Sequence, residues 1–363
     1  MRECGAKGLT YLEALLEGVE VEWKPLGEVA ELKRGVRVVR RQLEKEGQYP
    51  VYQNCLTPLG YFDKANCKAE TAFVIMGGSA GKVGFSNVDF WAADDCLYFI
   101  TPEHLLSRYL YYFLCKKETY LDSQVRRAAV PRLDRSVLAN LLIPLPPLPV
   151  QERIVEILDK FTTLIEALET ELKLRTQQYA YYRNKLLRFG KEVEWKPLGE
   201  VCVHIFSGHN QERDPNGAYP VYGSTGIIAR TNQKEYNTTQ ILVARVGVNA
   251  GYVHIATGEY AVSDNTLIVQ HKEILLLRFL YYFLTKLNLN KLAYGGAQPF
   301  ISASLLKKQL IPLPPLAIQQ QIVDILDKFH TLVHSLTAGL PAEIALRRQQ
   351  YEYYRNQLLR FPR

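Results

Sequence analysis

Three stretches of the sequence carry residue types that could do chemistry. Gly77–Lys82 reads GGSAGK, close to a loop that cradles phosphates. Such a loop needs four residues between its first Gly and the Gly-Lys pair, then Ser or Thr. Here three residues intervene and Val83 follows. Asp94, Asp95 and Asp264 could pass for nuclease carboxylates, but no D…ExK set accompanies them. The sequence has no HExxH, no GxGxxG and no N-P-P-aromatic or D-P-P-aromatic tetrad. Its six cysteines, Cys4, Cys55, Cys67, Cys96, Cys115 and Cys202, form no CxxC pair and have no His cluster beside them. They read as free thiols in a reducing compartment. The expectation is a chain with no catalytic residue, no metal and no cofactor of its own.

Binding is better supplied than catalysis. The run KRGVRVVRR places Lys33, Arg34, Arg37, Arg40 and Arg41 within nine residues, and the chain carries a formal net charge of +7. A second stretch, HIFSGHNQER, holds Ser207, His209, Asn210, Gln211 and Arg213. Arg pairs bidentately with guanine, and Asn or Gln with adenine. The loops MGGSAGKVGF and VGVNAGYVH each follow an apolar run and offer Ser79, Lys82, Arg245 and Asn249 to phosphates or base edges. Arg126 and Arg127 precede Pro131 much as Gly295–Gln298 precede Pro299. Gln53 and Asn54, against Gly223 and Ser224, form a weaker pair of candidates. Each stretch also has a plain reading, as a solvated face or a tight β-turn that needs Gly. The two readings are compatible.

The elements that must position these residues occur twice. VEWKPLGEV starts at Val21 and again at Val193, 172 positions later. YPVY recurs at Tyr49 and Tyr219, LYYFL at Leu110 and Leu280, IPLPPL at Ile143 and Ile311, and LDKF at Leu158 and Leu326. QQYAYYRNKLLRF at Gln177 returns as QQYEYYRNQLLRF at Gln349. The sequences between these blocks diverge, and the candidate binding residues fall in the divergent parts. Within each copy, short β-branched runs (72–76, 240–246, 265–269) broken by Gly, Asn and Pro predict strands. LYYFL predicts a buried helix.

A helical part follows each PLPP rod. In the first copy, Ile154, Leu158, Phe161, Ile165, Leu168, Leu172, Tyr179, Tyr182 and Leu186 step by four and three, and only Arg175 breaks the stripe. That is a heptad seam. Its 39 residues, 151–189, would span about 58 Å. The second copy repeats the seam from Ile322 through Leu336, Leu340 and Ile344 to Leu358, with four extra residues near Thr337–Leu340. Such a stutter, with Gly339 and Pro341 inside it, predicts a kink or break. A one-sided stripe must be buried, and each helix's natural partner is the other, antiparallel. Residues 1–20 resemble the tail of a third, truncated helical copy. The expected layout is an N-terminal segment 1–20, a globular module 21–149, a helix 150–190, a second module 191–317 and a second helix 318–363. No stretch is long and apolar enough for a membrane span, and no signal peptide is evident, so the cytoplasm is the expected compartment.

Taken together, the W-K-P-L-G-E block, the I-P-L-P-P-L rod, the I-L-D-K-F helix start and the Q-Y-x-Y-Y-R-N-x-L-L helix end resemble the specificity subunit of type I restriction–modification systems. The resemblance covers essentially the whole chain. It implies an α+β fold in which two mixed α/β target recognition domains are separated by a long antiparallel two-helix coiled coil with an internal pseudo-twofold. It implies that each domain reads one half of an asymmetric, bipartite target in double-stranded DNA. It implies that the helices set the spacing and dock two methyltransferase subunits, with two restriction–translocase subunits in the full complex. S-adenosylmethionine, ATP and Mg would then reside on those partners. The DNA-facing candidates are Lys33, Arg34, Arg37, Arg40, Ser79, Lys82, Arg126, Arg127, Ser207, His209, Asn210, Arg245, Asn249 and Gln298. Tyr181, Arg183 and Arg188 lie off the seam and are candidate partner contacts, as are Tyr353, Arg355 and Arg360 in the second copy. The competing reading is a scaffold that displays two protein-binding modules and never touches DNA.

Overall fold

The computed structural model describes Gly18, residues 21–296 and residues 298–361. The proposed helical copy at 1–20 therefore lies outside the described residues, Gly18 excepted. The chain divides into two compact units: residues 1–168 with 344–363, and residues 169–343. Both mix helix and sheet, as expected.

In unit 1, β1 (Glu22–Pro25) pairs antiparallel with β9 (Leu142–Leu145), Trp23 opposite Pro144. Two of the repeated blocks, W-K-P-L-G-E and I-P-L-P-P-L, thus hold each other. Between them lie β2 (Glu31–Arg34), β3 (Tyr49–Tyr52), β4 (Gly60–Phe62), β5 (Thr71–Ile75), β6 (Val83–Ser86), β7 (Trp91–Ala92) and β8 (Cys96–Ile100). They form a four-stranded sheet in the order β2-β8-β5-β6 and a three-stranded sheet in the order β4-β3-β7. The strand Thr71–Ile75 is buried on both faces, which is why it reads as an unbroken apolar run.

Unit 2 repeats this. β10 (Trp195–Pro197) pairs with β18 (Leu310–Pro312). β11 (Cys202–Ser207), β17 (Thr266–His271), β14 (Gln240–Ala244) and β15 (Val253–Ala256) form the larger sheet in that order. β13 (Gly226–Thr231), β12 (Tyr219–Gly223) and β16 (Ala261–Val262) form the smaller one.

Each LYYFL block lies on a helix, Ser107–Lys116 or Leu277–Leu287, whose apolar face is fully buried. The same lock closes both units. Gln151 is wholly buried; its amide donates to the His104 and Pro146 carbonyls, and its oxygen accepts from Leu106 N. Gln319 does the same with Ile274, Pro314 and Leu276. Arg108 and Tyr112 hold Asp159, and Arg278 and Tyr282 hold Asp327.

The long helix runs Leu148–Leu186, starting three residues earlier than the seam suggested. Its first part packs in unit 1, where Phe161 stacks on Tyr354 at 5.2 Å. Its last part packs in unit 2, where Tyr182 stacks on Phe329 at 5.5 Å. The second helix is interrupted: Leu316–His334 ends and Leu340–Leu358 begins where the inserted residues lie. Leu336, assigned to the seam from its spacing, is 82% exposed, because it sits in this break rather than on a helix.

Candidate nucleic-acid interface

In unit 1, segments far apart in sequence meet at one end of the strands. The exit from β2 is tied down by Gly35 N to Cys96 O (2.9 Å) and by Arg34 Nε to Asp94 O (2.7 Å). The residues after β3 join through Ser79 N to Asn54 O (2.9 Å). The turn after β5 is fixed by Met76 N to Asp95 O (2.7 Å). Residues 126–132 form a hairpin closed by reciprocal bonds between Arg126 and Arg132, and it hangs on this turn through Gly78 N to Pro131 O (3.0 Å). Arg34, Ser79 and Arg126 are thereby gathered, with Arg37, Arg40 and Arg41 exposed on the segment that follows β2. The Arg34 guanidinium, held on the Asp94 carbonyl, and the exposed arginines that follow it suit a phosphate-lined polyanion.

Unit 2 builds the same frame from other side chains. Gly208 N bonds Thr266 O (2.9 Å), Arg245 N bonds Asn265 O (2.8 Å), and Gly247 N bonds Pro299 O (2.8 Å). A hairpin closed by Tyr294 and Phe300 stands where the Arg126–Arg132 hairpin stands in unit 1. Ser207, His209, Arg245 and Gln298 gather here; His209 and Gln298 are exposed, while Ser207 and Arg245 are half-buried. In both turns the glycine matched between copies, Gly81 and Gly251, has a left-handed backbone (φ 86° and 90°). This bears out the turn reading, since only Gly adopts that conformation without strain.

Several candidates sit elsewhere than the sequence suggested. Asn210 is 3% exposed, and its oxygen accepts from the Arg213 guanidinium at 3.2 Å, so it is a buried strut, not a base reader. Lys82 pairs with Glu118 at 3.2 Å, on the helix side of its turn. Asn249 lines a cleft with Tyr281 and His330, also on the helix side. Lys33 pairs with Glu31 at 3.3 Å and Arg127 with Asp122 at 2.7 Å, both at exposed positions where such pairs exchange easily with a stronger anion. Among the partner candidates, Tyr181, Arg188, Tyr353 and Arg360 are exposed. Arg183 and Arg355 are instead half-buried and lie over Tyr179 and Tyr351 of their own units, at 5.6 and 5.3 Å. Cation–π contact and packing of the stem hold them there.

Sequence reasoning missed Arg132, whose Nη1 lies 3.1 Å from Asp95 Oδ1. The signal was available: Arg132 directly follows Pro131, and its counterpart after Pro299 is Phe300. Asp95, weighed above as a nuclease carboxylate, is the partner of that guanidinium. Among the described residues no group of three or more His, Cys, Asp or Glu could hold a metal ion. Burial pushes the thiols of Cys67, Cys115 and Cys202 up to about 12, keeping them protonated and inert.

The family model described as the type I restriction modification DNA specificity domain matches residues 18–175 and again 190–346. The chain is 32% identical to the type I restriction enzyme EcoR124I/EcoR124II specificity subunit of Escherichia coli, over 98% of both chains. It is 34% identical to a putative type I restriction enzyme specificity subunit of Haemophilus influenzae, over 97% of this chain and 98% of that one. The fold is similar to the crystal structure of a type I restriction–modification S subunit from M. genitalium, with a TM-score of 0.72 at 17% identity over 96% of this chain and 98% of that one.

Proposed function

This chain belongs to the type I restriction modification DNA specificity family, and from that premise we propose that its two units read the two halves of an asymmetric DNA target. The observation that carries this is the shared frame with unlike fillings. The same backbone bonds hold Arg34 and Arg126 in one unit and Ser207 and Tyr294 in the other. A like frame presents its side chains to DNA in a like pose, and unlike side chains then select unlike bases.

Catalysis is left to partner subunits, two that methylate adenine using S-adenosylmethionine and two that translocate and cut using ATP and Mg. The exposed Tyr181, Arg188, Tyr353 and Arg360 on the helix ends are the docking contacts we favour for the methyltransferases. The helices pair antiparallel as a rod that fixes the gap between half-sites. The stacked pairs Phe161–Tyr354 and Tyr182–Phe329 support that pairing at either end of the long helix. Among the described residues no helix is long and apolar enough to cross a membrane, which accords with work in the cytoplasm.

Methylation mapping in cells that also carry the partner subunits tests this reading. The expected motif has two different half-sites around a fixed gap. Replacing residues 30–140 with another recognition module should change one half alone. Adding a heptad to each helix, after Leu168 and after Glu343, should widen the gap by up to about three base pairs. A palindromic target, or a gap indifferent to helix length, would refute the proposal. The scaffold alternative differs in salt response: DNA reading requires affinity that falls steeply with salt.

A further inference from the structure

We propose that Asp95 and Arg132 are positioning residues that set the pose of the unit 1 hairpin, and through it the bases that its half-site admits; this rests on the DNA-reading role proposed above.

The hairpin's closing residues, Arg126 and Arg132, are paired directly across the turn. Two like charges at such positions repel and would splay the hairpin. Asp95 offsets this. Its side chain is only 17% exposed, and its Oδ1 accepts from Arg132 at 3.1 Å, while Arg132 itself stays 58% exposed. Gly77 makes the room: a Cβ there would lie 2.7 Å from that same oxygen.

Unit 2 is a natural control. The equivalent backbone bonds identify Val246, Asn265, Tyr294 and Phe300 as the counterparts of Gly77, Asp95, Arg126 and Arg132. All four differ together. The carboxylate and both guanidinium groups are gone, Val takes the place of Gly, and the hairpin is closed by the Tyr294 and Phe300 rings, 4.1 Å apart. Each set is consistent within itself, and a mixture is not. Val at position 77 would collide with Asp95, and Phe at 132 would leave the Asp95 carboxylate without its guanidinium. One hairpin is therefore clamped by charge and the other by ring contact.

The test uses the complex assembled with its methyltransferase subunits, on duplexes carrying single-base changes in either half of the mapped target. Arg132→Asp sets two carboxylates face to face. It is expected to lower discrimination about tenfold in one half only, the other half reporting that the chain is folded. The double reversal Asp95→Arg with Arg132→Asp rebuilds the pair with its sign inverted and is expected to restore discrimination. Gly77→Val, which changes no charge, should disturb the same half and keeps the test open if Arg132→Asp does not assemble. A double reversal as poor as the single one would overturn the inference, since Arg132 would then act on DNA directly. So would discrimination that stays unchanged in the Arg132→Asp complex, or a loss in both halves. A wild-type complex with no selectivity in either half would instead overturn the DNA-reading role, which keeps the two failures distinct.

Discussion

At the residue scale, two buried glutamines carry more than their polarity suggests. Gln151, itself wholly buried, satisfies two carbonyls and one backbone N–H. Gln151→Leu keeps the volume and strands all three groups. At about 1 kcal/mol or more for each stranded group, unit 1 should lose about 3 kcal/mol, read by denaturant unfolding. Gln319→Leu should do the same to unit 2. Histidines set a second expectation. His254 has both ring nitrogens buried without a hydrogen-bond partner and lies between the Tyr222 and Tyr252 rings. His330 packs against Tyr281, Tyr282 and His334. Burial lowers both from 6.5 to about 4. The folded state thus stays neutral while the unfolded chain takes up protons, so this stability is complete above about pH 6.5 and is lost as the pH falls towards 4. Thermal unfolding should show the loss, on the order of 1 kcal/mol for His254 by pH 5 and less for the half-buried His330, whose charge solvent screens. His330→Thr, the residue found at the matching Thr162, should flatten the profile; an unchanged slope would contradict this account.

At the element scale, the break in the second helix shows how far periodicity reaches. The four extra residues and the Gly339–Pro341 pair were enough to locate it, because a stutter cannot keep its stripe on one face. Spacing alone could not say that Leu336 leaves the seam altogether. Gly339 is needed in the break: a Cβ there would stand 2.3 Å from the Thr331 carbonyl oxygen. Gly339→Ala should cost about 1–3 kcal/mol by overpacking, seen as a lower melting temperature with unchanged helix content. Strands were legible for the same local reason. Thr71–Ile75 and Gln240–Ala244 are buried along their length and carry little but apolar side chains.

For the whole molecule, the last helix matters more than its place in the sequence implies. Leu358, Leu359 and Phe361 belong to the core of unit 1, with Ile154, Leu158 and the Ser107–Lys116 helix. Lys116 Nζ donates to Leu359 O at 2.8 Å. A chain cut before Ile344 should therefore lose unit 1, although the cut lies next to unit 2 in sequence. Burial of two leucines alone accounts for at least about 4 kcal/mol. Hydrogen exchange is the measurement: amides of residues 22–145 should lose protection while those of 195–312 keep theirs.

The sequence by itself determined the duplication, the division of each copy into a mixed module and a helix, the place of the helix break and the stretches where the copies diverge. These are local or repeated signals, written in spacing and identity. Only the tertiary structure decided that Asn210 is a strut, that Arg183 and Arg355 serve their own units, that Asp95 answers Arg132, and that the last helix completes the first unit. Each of these depends on side chains that meet across a turn, a sheet edge or most of the chain's length. Periodicity reports which face a residue takes on its own element, and carries no record of what waits on the other side.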